Sequence, residues 1–389
     1  MPTHIDVLVG DYEACVRSNE AAIVADKKAM RVSPSSTGVT SIYFGYVAHN
    51  YHMLVYGAIL GAMEHKAFVF ANELNQYLSE STFRENPHLA PCLESYATLD
   101  IHVLVRFGRW DRILELDLPK APSVMVYRSA SIRYARAISF ANTGKIEAAR
   151  EEARLFEEIR ASPDSKNRFL HNNTISDLLE VDSYMIKGEI AFFDEKYDAA
   201  FKFLERSVNL DDNLNYDEPW GKMQPVRHAL GGLLLKRGFA KKAEVVFRED
   251  LKRHPDNPWA LNGLLSSLKE QRNRSIDENK KSKKLKKRHC CSHRHPASKK
   301  SMILSDSEQN FIQCEIKDLI QVIEEKKKCD LVDYDVTCSC ACCLPKDYSY
   351  PRGKLNDEEI PKIRKEKGEK RAPEKSRNHT RMDILPFEM

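Results

Sequence analysis

The sequence predicts an all-α fold: a right-handed solenoid of stacked helix pairs over residues 1–272, followed by a largely disordered C-terminal tail. Three observations predict it. A helix–turn–helix pattern with small residues at matched places recurs along the first 272 residues. Charges nearly balance there, 34 basic against 37 acidic, whereas residues 273–389 carry 27 basic and 20 acidic side chains. From Lys280 to Lys300 ten Lys or Arg occur with no acid, and such a block repels itself into extended, solvated chain.

Composition sets the outer bounds. With 389 residues, 42% hydrophobic and 30% charged, the chain can bury a sizeable core. A net charge of +4 is too small to argue for nucleic acid by itself. The longest nearly apolar run, Met53 to Met63, falls short of the roughly 20 residues a bilayer span needs, so no membrane partner is expected. The start, "MPTHIDVLVGDYEACV", lacks a basic region followed by an apolar one, and no signal peptide is read there. The expected location is cytoplasmic, with nuclear import possible only through the basic segment 280–300, and the thiols are expected to be reduced.

The elements follow in order. "VGDYEACVRSNEAAIVAD" from Val9 supplies a turn and a second helix, preceded by little of a first. "YHMLVYGAILGAMEHKAFVFANEL" from Tyr51 is a full pair, and "LDIHVLVRFGRWDRILEL" from Leu99 another. Three further pairs begin at Arg133, Ser183 and Arg227: "RYARAISFANTGKIEAAREEARLF", "SYMIKGEIAFFDEKYDAAFKFLERSVNLDD" and "RHALGGLLLKRGFAKKAEVVFREDLKRHP". Their first helices hold Ala137, Gly188 and Gly231, and their second helices Ala149, Ala200 and Ala243. Small residues there let the helices approach, while Tyr184, Leu204, Leu230 and Phe247 fill the space around them. "DNPWALNGLLSSLKEQ" adds a last first helix, punctuated by Pro255 and Pro258. Turns are placed at Gly10, Ala62, Gly108, Gly144, Glu195 and Gly238, so loops of differing length must interrupt the stack.

This is the tetratricopeptide pattern, in which pairs of about 34 residues stack on one another. "HNYH", "HVLVRFGRWDRIL", "YARAISFANTGKIEAA" and "REDLKRHPDNPWAL" resemble a group of tetratricopeptide proteins of bacteria and scattered eukaryotes, over roughly residues 5–272. The resemblance implies the fold and no established activity. Ala48 stands where that group usually has proline, and Arg133 where it commonly has histidine. Beyond residue 272 the resemblance ends.

In such a stack the first helices line a concave groove that receives extended peptides or partner helices. Counted from the packing frame, the inward positions are His49, His52, Tyr56 and Ile59, then Thr98, His102 and Val105 with Arg106 beside them. Tyr134 and Ile138 follow, then Met185, Glu189 and Phe192, then His228. These define the expected partner-binding groove, with a protein or peptide as partner. Three imidazoles, His49, His52 and His102, are also the candidates for a Zn²⁺ site, although no metal or other cofactor is required by any motif. No H-E-x-x-H, G-x-S-x-G, phosphate-cradling loop or Rossmann fingerprint occurs, so no catalytic residue is assigned. A non-catalytic interaction scaffold is the expected function, and a metal-dependent enzyme or a metal or small-molecule sensor is the alternative.

The tail divides further: a basic linker at 273–304, an amphipathic helix at 305–328 and a cysteine-containing, mostly disordered stretch at 329–389. The helix starts with a capping box from Ser305 to Glu308 and carries Ile312, Ile316, Leu319 and Ile323 on one stripe. It is expected either to cover the last apolar face of the stack or to bind a partner. Eight of the ten cysteines lie at 290, 291, 314, 329, 338, 340, 342 and 343. Their spacing in "HCCSHRH" and "TCSCACC" is not that of a paired zinc module. Cys15, at a small-residue position of its helix, is expected to be packing. The "KKSKKLKKR" run, without interleaved aromatics, makes nucleic acid an unexpected partner outside residues 280–300.

Overall fold

A computed structural model of the chain describes residues 2–217, 221–288, 304–329 and 331–332, with side chains to residue 282 in the second stretch. All of these belong to one unit, residues 1–354. The cysteines at 290, 291, 338, 340, 342 and 343 and the stretch 345–389 lie outside the described residues.

Helices α1 (Pro2–Leu8), α2 (Tyr12–Val32) and α3 (Pro34–Thr37) open the chain, and α4 (Ile42–Leu60) pairs with α5 (Glu64–Tyr77). The short helices α6 (Glu80–Glu85) and α7 (Ala90–Leu93) lead to α8 (Leu99–Arg106) and α9 (Trp110–Leu114). Next come α10 (Val126–Asn142) with α11 (Ile146–Ala161), and α12 (Pro163–Asn167). A small hairpin, β1 (Phe169–Leu170) and β2 (Asn173–Thr174), precedes α13 (Ile175–Phe193) with α14 (Tyr197–Asp212), then α15 (Val226–Lys236) with α16 (Ala240–Arg253). Finally α17 (Pro258–Arg288) and α18 (Asp306–Lys326) pack on each other. The described residues are all-α apart from the hairpin, whose antiparallel register sets Phe169 opposite Thr174 and Leu170 opposite Asn173. Among the described residues no helix is long and apolar enough to cross a membrane.

The turn positions read from the sequence are where the backbone turns left-handed. Gly10, Gly108, Gly144 and Gly238 have φ between 64° and 82°, and Ala62 and Glu195 take φ of 59° and 62° without being glycine. The left-handed residue lets an amide beyond the turn reach back to the ending helix, as Lys145 N–H does to Phe140 C=O at 2.8 Å. Close helix approach rests on the small residues expected to allow it. A Cβ added at Gly188 would stand 2.6 Å from Leu204 Cγ, inside contact distance. Cys15 is fully buried against Gly57, and burial pushes its thiol up to about 12, as suits an inert packing residue.

Two features depart from the sequence reading. The helix expected to end near residue 272 continues to Arg288; Lys and Arg are good helix formers, and extending an existing helix avoids the cost of nucleation. The amphipathic helix α18 returns onto α17 and buries Ile312, Ile316 and Ile323. Arg248 pairs with Glu315 at 2.7 Å and Lys326 with Asp256 at 3.4 Å, and Arg272 donates to Gln313. Of the two roles expected for this helix, these contacts are those of a cover over the last apolar face.

Candidate functional site

The inward positions counted from the sequence lie on α4, the turn before α8, α8 itself, α10, α13 and α15. His52, Tyr56, Thr98, His102, Arg106, Tyr134, Met185, Glu189, Phe192 and His228 are all buried, and only His49 is half-buried. An open groove was the expectation; the side chains instead face a filled interior. Its filling comes from parts of the chain that periodicity does not mark.

At one end, the Arg106 guanidinium stacks 3.5 Å from the ring centre of Trp259 on α17. Trp259 Nε1–H donates to Ile59 C=O at 2.9 Å, and Tyr12 O–H donates to Pro255 C=O at 2.8 Å. The first and last parts of the helical body thus touch. Beside them, His228 Nε2 lies 2.7 Å from Asp250 Oδ2, which also accepts from Asn257 Nδ2 at 3.0 Å, while His254 Nδ1 lies 3.2 Å from Asp250 Oδ1. Burial alone would raise the Asp250 carboxyl, but His228 and His254 hold it well below the usual carboxylate range. Burial lowers His228, so its imidazole is neutral and donates through Nε2. The network locks α15, α16 and the start of α17 together.

At the other end, the described parts of the stretch between α14 and α15, residues 213–217 and 221–225, lie along the inner face. Two asparagines of the hairpin hold the main chain. Asn215 N–H donates to Asn173 Oδ1 at 2.8 Å and Asn173 Nδ2 donates back to Asn215 C=O at 3.0 Å. Asn172 Nδ2 donates to Tyr216 C=O at 2.9 Å. Further along, Lys222 forms a buried ion pair with Asp182, its ammonium 5.4 Å from the ring centre of Tyr134. Met223 Sδ then lies 2.9 Å from His52 Nε2.

The histidines do not form one cluster of ligands. His49 packs on His4, ring centres 5.1 Å apart, whereas His52 packs on Tyr96 at 4.5 Å. His52 and His102 share a cavity of about 20 Å³ with Tyr127, His171, Asp217 and Met223. A second cavity, of about 10 Å³, lies between His102, Tyr134, Asp182, Met185 and Lys222. Burial lowers the His52 imidazole, with His171, His49 and His102 adding to it, and burial with nearby Lys222 lowers His102 to about 3. Both are neutral at pH 7. Among the described residues no three His, Cys, Asp or Glu side chains are grouped to hold a metal ion.

Asn172, Asn173, Asp182, Lys222 and Met223 escaped the sequence reading. Asp182 alone had a signal: in the frame that selects Met185, Glu189 and Phe192 on α13, it occupies the place that His49 takes on α4. Compared with known proteins, the chain matches no family model and no curated protein.

Proposed function

We propose that the chain is a non-catalytic interaction scaffold, a tetratricopeptide-type helix-pair solenoid that receives an extended peptide or partner helix on the inner faces of its first helices. One observation carries the reading: these faces and the hairpin already hold a non-helical stretch of polypeptide, described at residues 213–217 and 221–225, with amide side chains on its main chain and its Lys222 and Met223 side chains turned inward. Amide-to-backbone hydrogen bonds recognise a chain irrespective of its sequence, and side-chain cavities add selectivity. Among the described residues Cys15, Cys92, Cys314 and Cys329 form no disulfide, which supports a reducing compartment, the cytoplasm, or the nucleus by way of segment 280–300. A photo-crosslinking residue at His171, exposed at the mouth of the larger cavity, should capture a polypeptide partner from cells. The same residue at Val245, exposed on α16, should not. Capture from Val245 alone contradicts the proposal.

A further inference from the structure

The Lys222–Asp182 pair is an unusual way to fill a core. Both side chains are buried, 7% and 2% exposed, and removing two charges from water costs as much as their attraction returns; an apolar pair of the same volume serves stability at least as well. Lys222 also belongs to no repeat helix. It sits on a stretch of thirteen residues between Asp212 and Val226, whereas the two helices of one pair, α13 and α14, are joined by residues 194–196 alone. Its surroundings suit a lysine side chain along its whole length. Val105, Met185 and Val226 line the same cavity as Lys222, the Tyr134 ring faces the ammonium, and the Asp182 carboxylate receives it at the end. The adjoining residue, Met223, enters against His52, and Gly221 on the other side lies so close that a Cβ there would stand 2.7 Å from Leu178 Cδ2. The hairpin asparagine side chains meanwhile hold main-chain atoms of Asn215 and Tyr216, contacts that another chain can make equally. Asn215 Nδ2 donating to Asn172 C=O and Asp217 Oδ2 accepting from Asn172 N–H add side-chain contacts of the segment's own.

We infer that Asp182, Tyr134, Met185 and Val105 form an acceptor for a lysine side chain, occupied in cis by Lys222, and that the partner is an extended peptide presenting lysine followed by a bulky apolar residue. The inference rests on the scaffold reading above and names the partner's chemistry. The chain's own segment 213–225 then acts as a competitor that the partner must displace.

The test uses the full chain and a fluorescent thirteen-residue peptide of sequence 213–225, with a second peptide in which norleucine replaces the lysine. The double variant K222A/M223A is expected to bind the lysine peptide at least tenfold more tightly than the unmodified chain does, and at least tenfold more tightly than it binds the norleucine peptide. Equal binding of the two peptides overturns the lysine acceptor and leaves the scaffold reading standing. Binding of neither, by a variant with the native helical circular dichroism, overturns both. If the variant loses its helical signal, the same pair of peptides is added during refolding: recovery with the lysine peptide alone supports the acceptor, and equal recovery or none overturns it.

Discussion

Replacing Ile316 by alanine should release the last helix from the body. Ile316 is 2% exposed on α18, with Ile312 and Ile323 buried on the same stripe. Burying three such side chains is worth about 1.5–3 kcal/mol each, before the cost of ordering the helix is subtracted. The partly exposed Arg248–Glu315 and Lys326–Asp256 pairs add little. Truncating a buried isoleucine costs about 2–5 kcal/mol, so a loss of about 3 kcal/mol shifts the docking equilibrium roughly a hundredfold and removes most of the margin. Hydrogen–deuterium exchange reads this directly: amides of α18 should exchange about a hundredfold faster in Ile316→Ala. Phe311→Ala serves as the control, because Phe311 is 69% exposed and its loss should change nothing. Unaltered exchange in Ile316→Ala would refute the covering role of α18.

Three further outcomes are expected. Glu195→Gly should stabilise the protein by about 1 kcal/mol, because an exposed non-glycine residue held at φ 62° gives up that strain; a lower urea midpoint would contradict it. Ala200→Trp should cost about 1–3 kcal/mol or more, since Ala200 is fully buried where α13 and α14 approach at Gly188, and a neutral result would break the repeat frame. His102 has its folded pKa lowered to about 3, so the unfolded chain takes up a proton near pH 6.5 and the folded one does not. Its stability is present above pH 6.5 and lost as pH falls toward 3, by about 2 kcal/mol at pH 5. Glu94, raised to about 7 by burial despite Arg128 and Arg168, acts in the opposite sense. The effect is therefore read as the difference in pH slope between the wild type and His102→Gln, and equal slopes from pH 7 to 5 would contradict it.

What could be read from the sequence was whatever repeats. Helix pairs and turns follow from apolar spacing and small residues, and the frame located two turn residues, Ala62 and Glu195, that composition would never suggest. The inner positions were legible too, but not their burial: a face bearing Tyr56, Ile59 and Phe192 beside His52 and Glu189 suits a groove and an interior alike. The filling residues carry no period. Asn172 lies in the hairpin turn and Asn173 on a strand of two residues, too short for alternation to appear, and Lys222 reads as a surface charge until Asp182, forty positions earlier, is placed beside it. His49 and His52 share a helical face by spacing, yet they separate because His4 and Tyr96 arrive from different elements to pack on each. With His52 and His102 both buried, a double alanine variant opens cavities and destabilises.

Exchange at a single amide bears most directly on whether the inner face holds the chain's own segment. Asn215 N–H, donated to Asn173 Oδ1 at 2.8 Å, should exchange at least tenfold more slowly in the full chain than in the isolated peptide 213–225, and lose that protection in K222A. Exchange at the free-peptide rate in the unmodified chain would mean that the segment does not occupy the inner face.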